Sequence, residues 1–332
     1  MCCGIKDIFV SLTSKKPMKT YLTILLSILF TFPAKAHPAL REQIQHIIGN
    51  AEAEIGVAVI INGKDTLTFN NEAHYPLMSV MKYHQALAVA HYLDQRDLPL
   101  STHIRIEKQD LRPDTYSPLR EKYPEGDISL SIGELLIYTL QLSDNNACDI
   151  LFEYIGGTAS ANQYLQTLGI DGFSISATEN DMHQNPERCY ENWSTPLSVA
   201  RFMDSLIAGT LPIDTAYTHF IQETLLSCQT GKTRLPSPLQ GTDARIGHKT
   251  GTSDQNEKGE WIGINDVGFI LLPDGKRYTI AVLVKHSKLS YEETERIIAD
   301  ISTLIYQAYL TTNQFYPVIN KNIRLRNENL NR

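Results

Sequence analysis

The sequence predicts an α+β fold whose antiparallel sheet is drawn from both ends of the chain. Three observations carry this. β-rich runs lie early, over residues 55–61 and 66–70, and late, over 261–272 and 277–285. Helical patterns fill most of what lies between. Turn-forming residues join neighbouring strands: Asn62-Gly63 in the first pair and Pro273-Asp274-Gly275-Lys276 in the second. Strands at both ends imply one lobe of sheet flanked by helices, about 37–75 and 245–310, and an all-α lobe, about 76–244. The cleft between them is the natural place for a site.

Taken in order, residues 18–36 read as a secretory signal. Lys19 precedes the apolar run 21–32, and Ala34-Lys35-Ala36 offers a cleavage site before His37. That run is too short to span a bilayer. Met18 is then the expected start, with 1–17 lying upstream of it. A helix is expected over 40–51, then the first hairpin. Pro76 introduces a helix over 80–95, with Met81, Ala88, Val89, Tyr92 and Leu93 at helical spacing. Further helices are expected over 131–142, 147–154, 159–168, 196–207, 216–226 and 291–309. Residues 311–332, rich in Asn and Arg and without periodicity, read as a disordered tail.

Composition narrows the function classes. The chain has 332 residues, 42% hydrophobic and 20% charged, with a net charge of −7. Removing 1–36, with five lysines against one aspartate, takes the charge to about −11. A balance this acidic argues against nucleic acid as a partner. Cys148, Cys189 and Cys228 remain in the mature chain, an odd number in which one disulfide is possible. Their spacing is not that of metal ligands, and no metal or other cofactor is expected.

The chemistry begins at Ser79 and Lys82. A serine in the first turn of a helix lies among free backbone N–H groups, and a lysine three residues on shares its face. A hydroxyl beside an amine, with amide donors around it, makes an activated nucleophile and a place for an oxyanion. Alone, Ser-x-x-Lys is a common pattern, and such a serine is more often a simple cap. Ser143-Asp144-Asn145 follows 64 positions later at a helix end, and Lys249-Thr250-Gly251-Thr252 follows 104 positions after Asn145 on a strand. Either alone reads equally well as a polar turn.

In this order, the three motifs resemble the Ser-x-x-Lys, Ser-Asp-Asn and Lys-Thr-Gly set of class A β-lactamases and penicillin-binding proteins. The resemblance covers nearly the whole mature chain. Tyr116-Ser117-Pro118, Asn265-Asp266 and Leu272-Pro273-Asp274-Gly275 match further family segments. It implies the β-lactamase/DD-peptidase-like fold, a small-molecule β-lactam substrate, no stable membrane association, a monomer, and a secreted, periplasmic location.

Thr178-Glu179-Asn180-Asp181-Met182 lies 34 positions after Asn145, where the family's Ω-loop base sits. Glu179 separates a hydrolase from the two rivals on this scaffold, a DD-peptidase and a β-lactam-sensing domain. Ala177, His183 and Asn192 depart from the usual loop. Met182-His183 and Thr230-Gly231-Lys232-Thr233-Arg234 look like the PER/VEB/CfxA-like branch. The implied roles are Ser79 as nucleophile, Lys82 or Glu179 as acylation base, and Ser143 with Lys249 as proton donor to the leaving nitrogen. Glu179 is the deacylation base. Asn145 orients the substrate's side-chain amide, Tyr116 packs on the drug, and Thr250, Thr252, Ser253 and Arg234 hold its carboxylate. The branch points to cephalosporins.

Overall fold

A computed structural model describes residues 36–314. The predicted leader lies outside these residues but for Ala36, and the predicted tail outside them but for 311–314, which continue the last helix. From the N-terminus the elements are α1 (Ala36–Asn50), β1 (Glu54–Ile61), β2 (Asp65–Phe69) and β3 (Tyr75–Pro76). A 3-10 turn, Met78–Val80, leads into α2 (Met81–Asp94). Then come β4 (His103–Ile106), α3 (Pro118–Lys122), β5 (Ile128–Ser131), α4 (Ile132–Gln141), α5 (Asn145–Tyr154) and α6 (Gly157–Gln166). The chain continues through β6 (Phe173–Ser174), α7 (Glu179–Gln184), β7 (Trp193–Ser194), α8 (Pro196–Ala208) and α9 (Thr215–Leu226). It closes with β8 (Arg245–Thr252), β9 (Ile264–Leu271), β10 (Arg277–Lys285) and α10 (Tyr291–Gln314).

The main sheet runs β2-β1-β10-β9-β8, antiparallel throughout, so the early hairpin and the late strands do share one sheet. Its first turn works because Asn62 and Gly63 both take positive φ, 50° and 68°, at the centre of a tight turn that the Lys64 N–H closes on the Ile61 carbonyl at 3.0 Å. Side chains alternate between two cores with the period of a strand. Ala58, Ile60, Val267, Phe269, Ala281 and Leu283 face the helical side. Val57, Val59, Ile264, Ile270, Ile280 and Val282 face Ile44 of α1 and Ile298, Ile301 and Ile305 of α10. α1 and α10 thus cover the sheet's other face.

α2 is the axis of the helical side. Residues 81–90 are all buried, as befits a helix surrounded by others. Its polar members are enclosed with the rest. Burial holds His84 down at about 4, so it is neutral in the core. Gln85 donates its side-chain N–H to the Cys148 carbonyl of α5 at 2.5 Å. This enclosure fixes the direction in which Lys82, at the start of α2, leaves the helix. All three cysteines of the described residues are free thiols, and the possible disulfide does not form.

Candidate active site

Ser79 lies in the 3-10 turn that precedes α2, one step before the α-helical first turn that periodicity predicts. The reason is local. Met78 has φ 51°, in the left-handed region, which tightens the chain before the helix can start. β8 then passes against this turn. A Cβ at Gly251 would collide with the Leu77 carbonyl oxygen and press on Met78, so only glycine lets the strand come this close. That approach packs β8 against the turn that carries Ser79.

Lys82 is fully buried and stands at the centre of the group. Its Nζ donates to Ser79 Oγ at 3.0 Å, the Ser143 carbonyl at 2.8 Å and Asn145 Oδ1 at 2.6 Å. Glu179 Oε1 is 2.8 Å away, and Ser79 Oγ lies 3.5 Å from the same oxygen. Ser143 completes a second link. Its Oγ is 2.9 Å from Lys249 Nζ and 3.5 Å from Lys82 Nζ. Ser143 has φ 61°, which costs a non-glycine residue about 1–3 kcal/mol and aims its hydroxyl between the two lysines. Burial pushes Lys249 down, and the nearby Lys82 charge pushes it further, to about 7.

Asp144 holds this geometry from behind. Its buried carboxylate accepts from Ser117 Oγ at 3.0 Å and from the N–H groups of Leu119 at 2.6 Å and Ala147 at 2.8 Å. It therefore caps α5 and ties down the loop carrying Tyr116, whose ring is 56% exposed at the cleft edge. Asn145 is gripped at both ends, by Lys82 and by Thr115 Oγ1 at 2.7 Å.

Arg234 differs from expectation. Its guanidinium is buried, and all five N–H groups are engaged: Glu295 at 2.8 Å, the Gly251 carbonyl at 3.0 Å, the Asn265 carbonyl at 2.8 Å, Thr252 Oγ1 at 2.7 Å and Tyr291 Oη at 2.9 Å. A direct bond from Arg234 to a substrate carboxylate would need one of these to be given up. Its route to the cleft is the exposed Thr252. Ser253 is likewise turned inward, its Oγ accepting from the Gly263 N–H at 2.9 Å. Thr250 Oγ1 is 2.6 Å from Thr230 Oγ1.

Residues 39–309 match the family model described as the beta-lactamase enzyme family. This chain belongs to that family. A β-lactamase of Bacteroides uniformis is 38% identical over 295 residues, covering 88% of this chain and 99% of the relative. Beta-lactamase VEB-1 of Pseudomonas aeruginosa is 38% identical, covering 89% of this chain and 99% of the relative. The crystal structure of a class A β-lactamase from Bacteroides cellulosilyticus superimposes with a TM-score of 0.79 at 40% identity, covering 82% of this chain and 98% of that one. The chain is thus a class A β-lactamase, and of the PER/VEB/CfxA-like branch.

The departures in this β-lactamase's Ω-loop have structural replacements. Asn192 accepts the N–H groups of Ser176 at 2.8 Å and Ala177 at 2.9 Å, and donates to the Ala177 carbonyl at 2.8 Å. Arg188 pairs with Asp181 at 2.7 Å, and His183 Nε2 lies 3.0 Å from Asp114. Glu179 opens α7, with Thr178 as its cap, rather than lying in irregular loop. Sequence reasoning passed over Asp149, which sits under Glu179 and also pairs with Arg112 at 2.7 Å. Burial, then the Glu179 charge, pushes Asp149 up to about 6. Its position four residues after Asn145, one turn along the same helix face, was the available pointer. Thr115 and Arg112 carried none.

Proposed function

We propose that this class A β-lactamase opens its substrates through an acyl-enzyme on Ser79 and favours cephalosporins. The observation that carries the reading is the position of Lys82 Nζ, within 3.0 Å of both Ser79 Oγ and Glu179 Oε1. Ser79 Oγ attacks the lactam carbonyl. Its proton passes to Lys82, or through a water to Glu179. The N–H groups of Ser79 and Thr252 hold the oxyanion. As the carbon–nitrogen bond breaks, Ser143 gives its proton to the leaving nitrogen and is resupplied from a neighbouring lysine. Glu179 then takes a proton from water, and the resulting hydroxide cleaves the ester and frees Ser79.

Thr250 and Thr252 receive the substrate carboxylate, with the charge of Lys249 beneath them, and Arg234 acts by fixing the Thr252 hydroxyl. Asn145 meets the side-chain amide, and Tyr116 closes over the drug. The cephalosporin preference is supported by the relative of Pseudomonas aeruginosa named as the extended-spectrum β-lactamase PER-1, 33% identical over 294 residues. The acidic mature chain and its leader support an exported, periplasmic monomer.

The test is nitrocefin hydrolysis by the purified mature protein, with the intact mass followed during turnover. Hydrolysis with a transient adduct on Ser79 supports the reading. A stoichiometric, long-lived adduct without turnover would assign the chain to the penicillin-binding or sensing class instead.

A further inference from the structure

Toward the C-terminal end of α2, with Ser79 beyond its other end, lies a cavity of about 400 Å³ that the mechanism does not use. Small-molecule sites run from about 300 to 1,000 Å³. Its walls include His91, Tyr92, Arg96, Ile155, Gln163 and Tyr164, and no carboxylate. Arg96 and Gln163 are exposed, whereas Ile155 and Tyr164 are buried.

The walls are mostly aromatic. The rings of His91 and Tyr164 stack with centroids 3.7 Å apart and planes 8° from parallel. Tyr92 meets the edge of Tyr154 at 5.4 Å and carries the Arg96 guanidinium 3.8 Å from its ring centre. Arg96 follows the C-cap of α2, and its Nη1 donates to the Tyr92 carbonyl at 3.4 Å, which offsets the negative end of that helix. Among the described residues the guanidinium has no carboxylate partner. Two polar atoms of the wall, His91 Nδ1 and Tyr164 Oη, are buried with no hydrogen-bond partner among those residues. Tyr164 is only 7% exposed. An unpaired hydroxyl buried to that degree is costly for the fold and calls for an acceptor.

We propose that this cavity binds a small aromatic carboxylate, its ring lying among the aromatic side chains and its oxygens taking the donors of Arg96 and Tyr164. The charge follows from Arg96, the wall's only ionised group at neutral pH. Burial lowers His91, so its ring is uncharged there and can carry its proton on Nδ1. Burial raises the Tyr164 phenol, and Asp94, outside the wall, raises it further, so that hydroxyl remains a donor. The volume sets the size at about two fused rings.

The experiment titrates the mature protein with 2-naphthoate, followed by calorimetry and by amide chemical-shift mapping. One site with a Kd of about 1 mM or tighter is expected. The shifted amides should centre on residues 88–96 and 155–167. 2-Naphthamide has the same shape without the charge and should bind at least about tenfold more weakly. Arg96→Gln should cost naphthoate as much and leave the amide unaffected. Tyr164→Phe should weaken naphthoate about threefold or more, yet melt no lower than the unmutated protein, because it removes an unpaired buried hydroxyl. The catalytic cleft is the rival place for a carboxylate, so the KM for nitrocefin should not change in the presence of naphthoate. Equal affinity for acid and amide, binding indifferent to Arg96→Gln, shifts centred on Lys249 with a rising KM, or no binding at about 10 mM would each overturn the proposal.

Discussion

The carboxylate of Asp149 accepts the Glu179 N–H at 2.8 Å, and its other oxygen accepts the Asn180 N–H at 2.9 Å. One partly buried side chain thus fixes where α7 begins and where the proposed water-activating carboxylate stands. Asp149→Asn replaces one acceptor oxygen by a donor that faces an N–H. Hydrogen bonds to charged groups are worth about 1.5–3 kcal/mol, so the deacylation rate should fall about ten- to hundredfold. Acylation should be far less affected, and stopped-flow traces with nitrocefin should show a burst that the unmutated enzyme lacks.

Glu179→Gln is the more severe version of the same experiment. Glutamine keeps the size and cannot take a proton at neutral pH. A positioned general base contributes about 10²–10⁴-fold. The variant should open about one equivalent of substrate and then stall, with the adduct on Ser79 by intact mass. Turnover at the unmutated rate would move the base elsewhere, Asp181 being first in line.

Ser79→Ala should abolish turnover and covalent labelling by penicillin. No capping bond from the Ser79 side chain supports the 3-10 turn, so the fold should keep its stability to within about 1 kcal/mol. Circular dichroism melting checks the second half. Labelling at any other serine would show the site to be misplaced.

Arg234→Ala should do more than weaken substrate binding. It strands Glu295, which is largely buried, along with two backbone carbonyls that Arg234 satisfies. Breaking a buried pair in this way costs about 3–5 kcal/mol. Chemical denaturation should register that loss, and kcat/KM for carboxylate-bearing substrates should fall at least tenfold. Arg245→Ala is the control. Its partner Glu223 is 3.6 Å away and both are exposed, so the change should stay within about 0.5 kcal/mol. Equal effects from the two would remove Arg234's special place.

Lys249 gives a pH prediction. It is a base held at about 7, below its ordinary value, so in the free enzyme its charge is present below pH 7 and fades above it. kcat/KM for anionic β-lactams should therefore decline as pH rises through about 7, since that parameter reports the free enzyme. kcat should hold to higher pH, because a bound carboxylate favours the ammonium. Lys249→Ala should flatten the kcat/KM limb while lowering its level. A limb that survives the substitution belongs to another group.

Much of this was legible in the residues. The hairpin at Asn62-Gly63 follows from turn chemistry and the helix after Pro76 from periodicity, while Ser79, Ser143 and Lys249 stood out through the order of their motifs. What escaped has a common physical cause. The resemblance names Arg234 for the substrate carboxylate but says nothing of the five contacts that enclose its guanidinium. Which side of β8 it lies on is set by Glu295 and Tyr291, some 60 residues later. Ser79 precedes its α-helix, in a 3-10 turn whose Met78 takes a left-handed conformation against the passing Gly251, a packing partner invisible locally. Asp149 carries no motif. Its importance appears only when α7 is folded onto α5.

The two buried lysines on either side of Ser143 have one more consequence. The chain as a whole carries a net charge of −7, and an anionic drug approaching it meets a repulsive field. The cleft presents the opposite sign over a few ångströms. Repulsion between exposed charges dies within a Debye length of about 8 Å at physiological ionic strength, whereas interactions inside the cleft are screened far less. Added salt should therefore ease the approach without loosening the grip. This catalyst would work better in brine than in distilled water, the reverse of an enzyme that steers its substrate from afar.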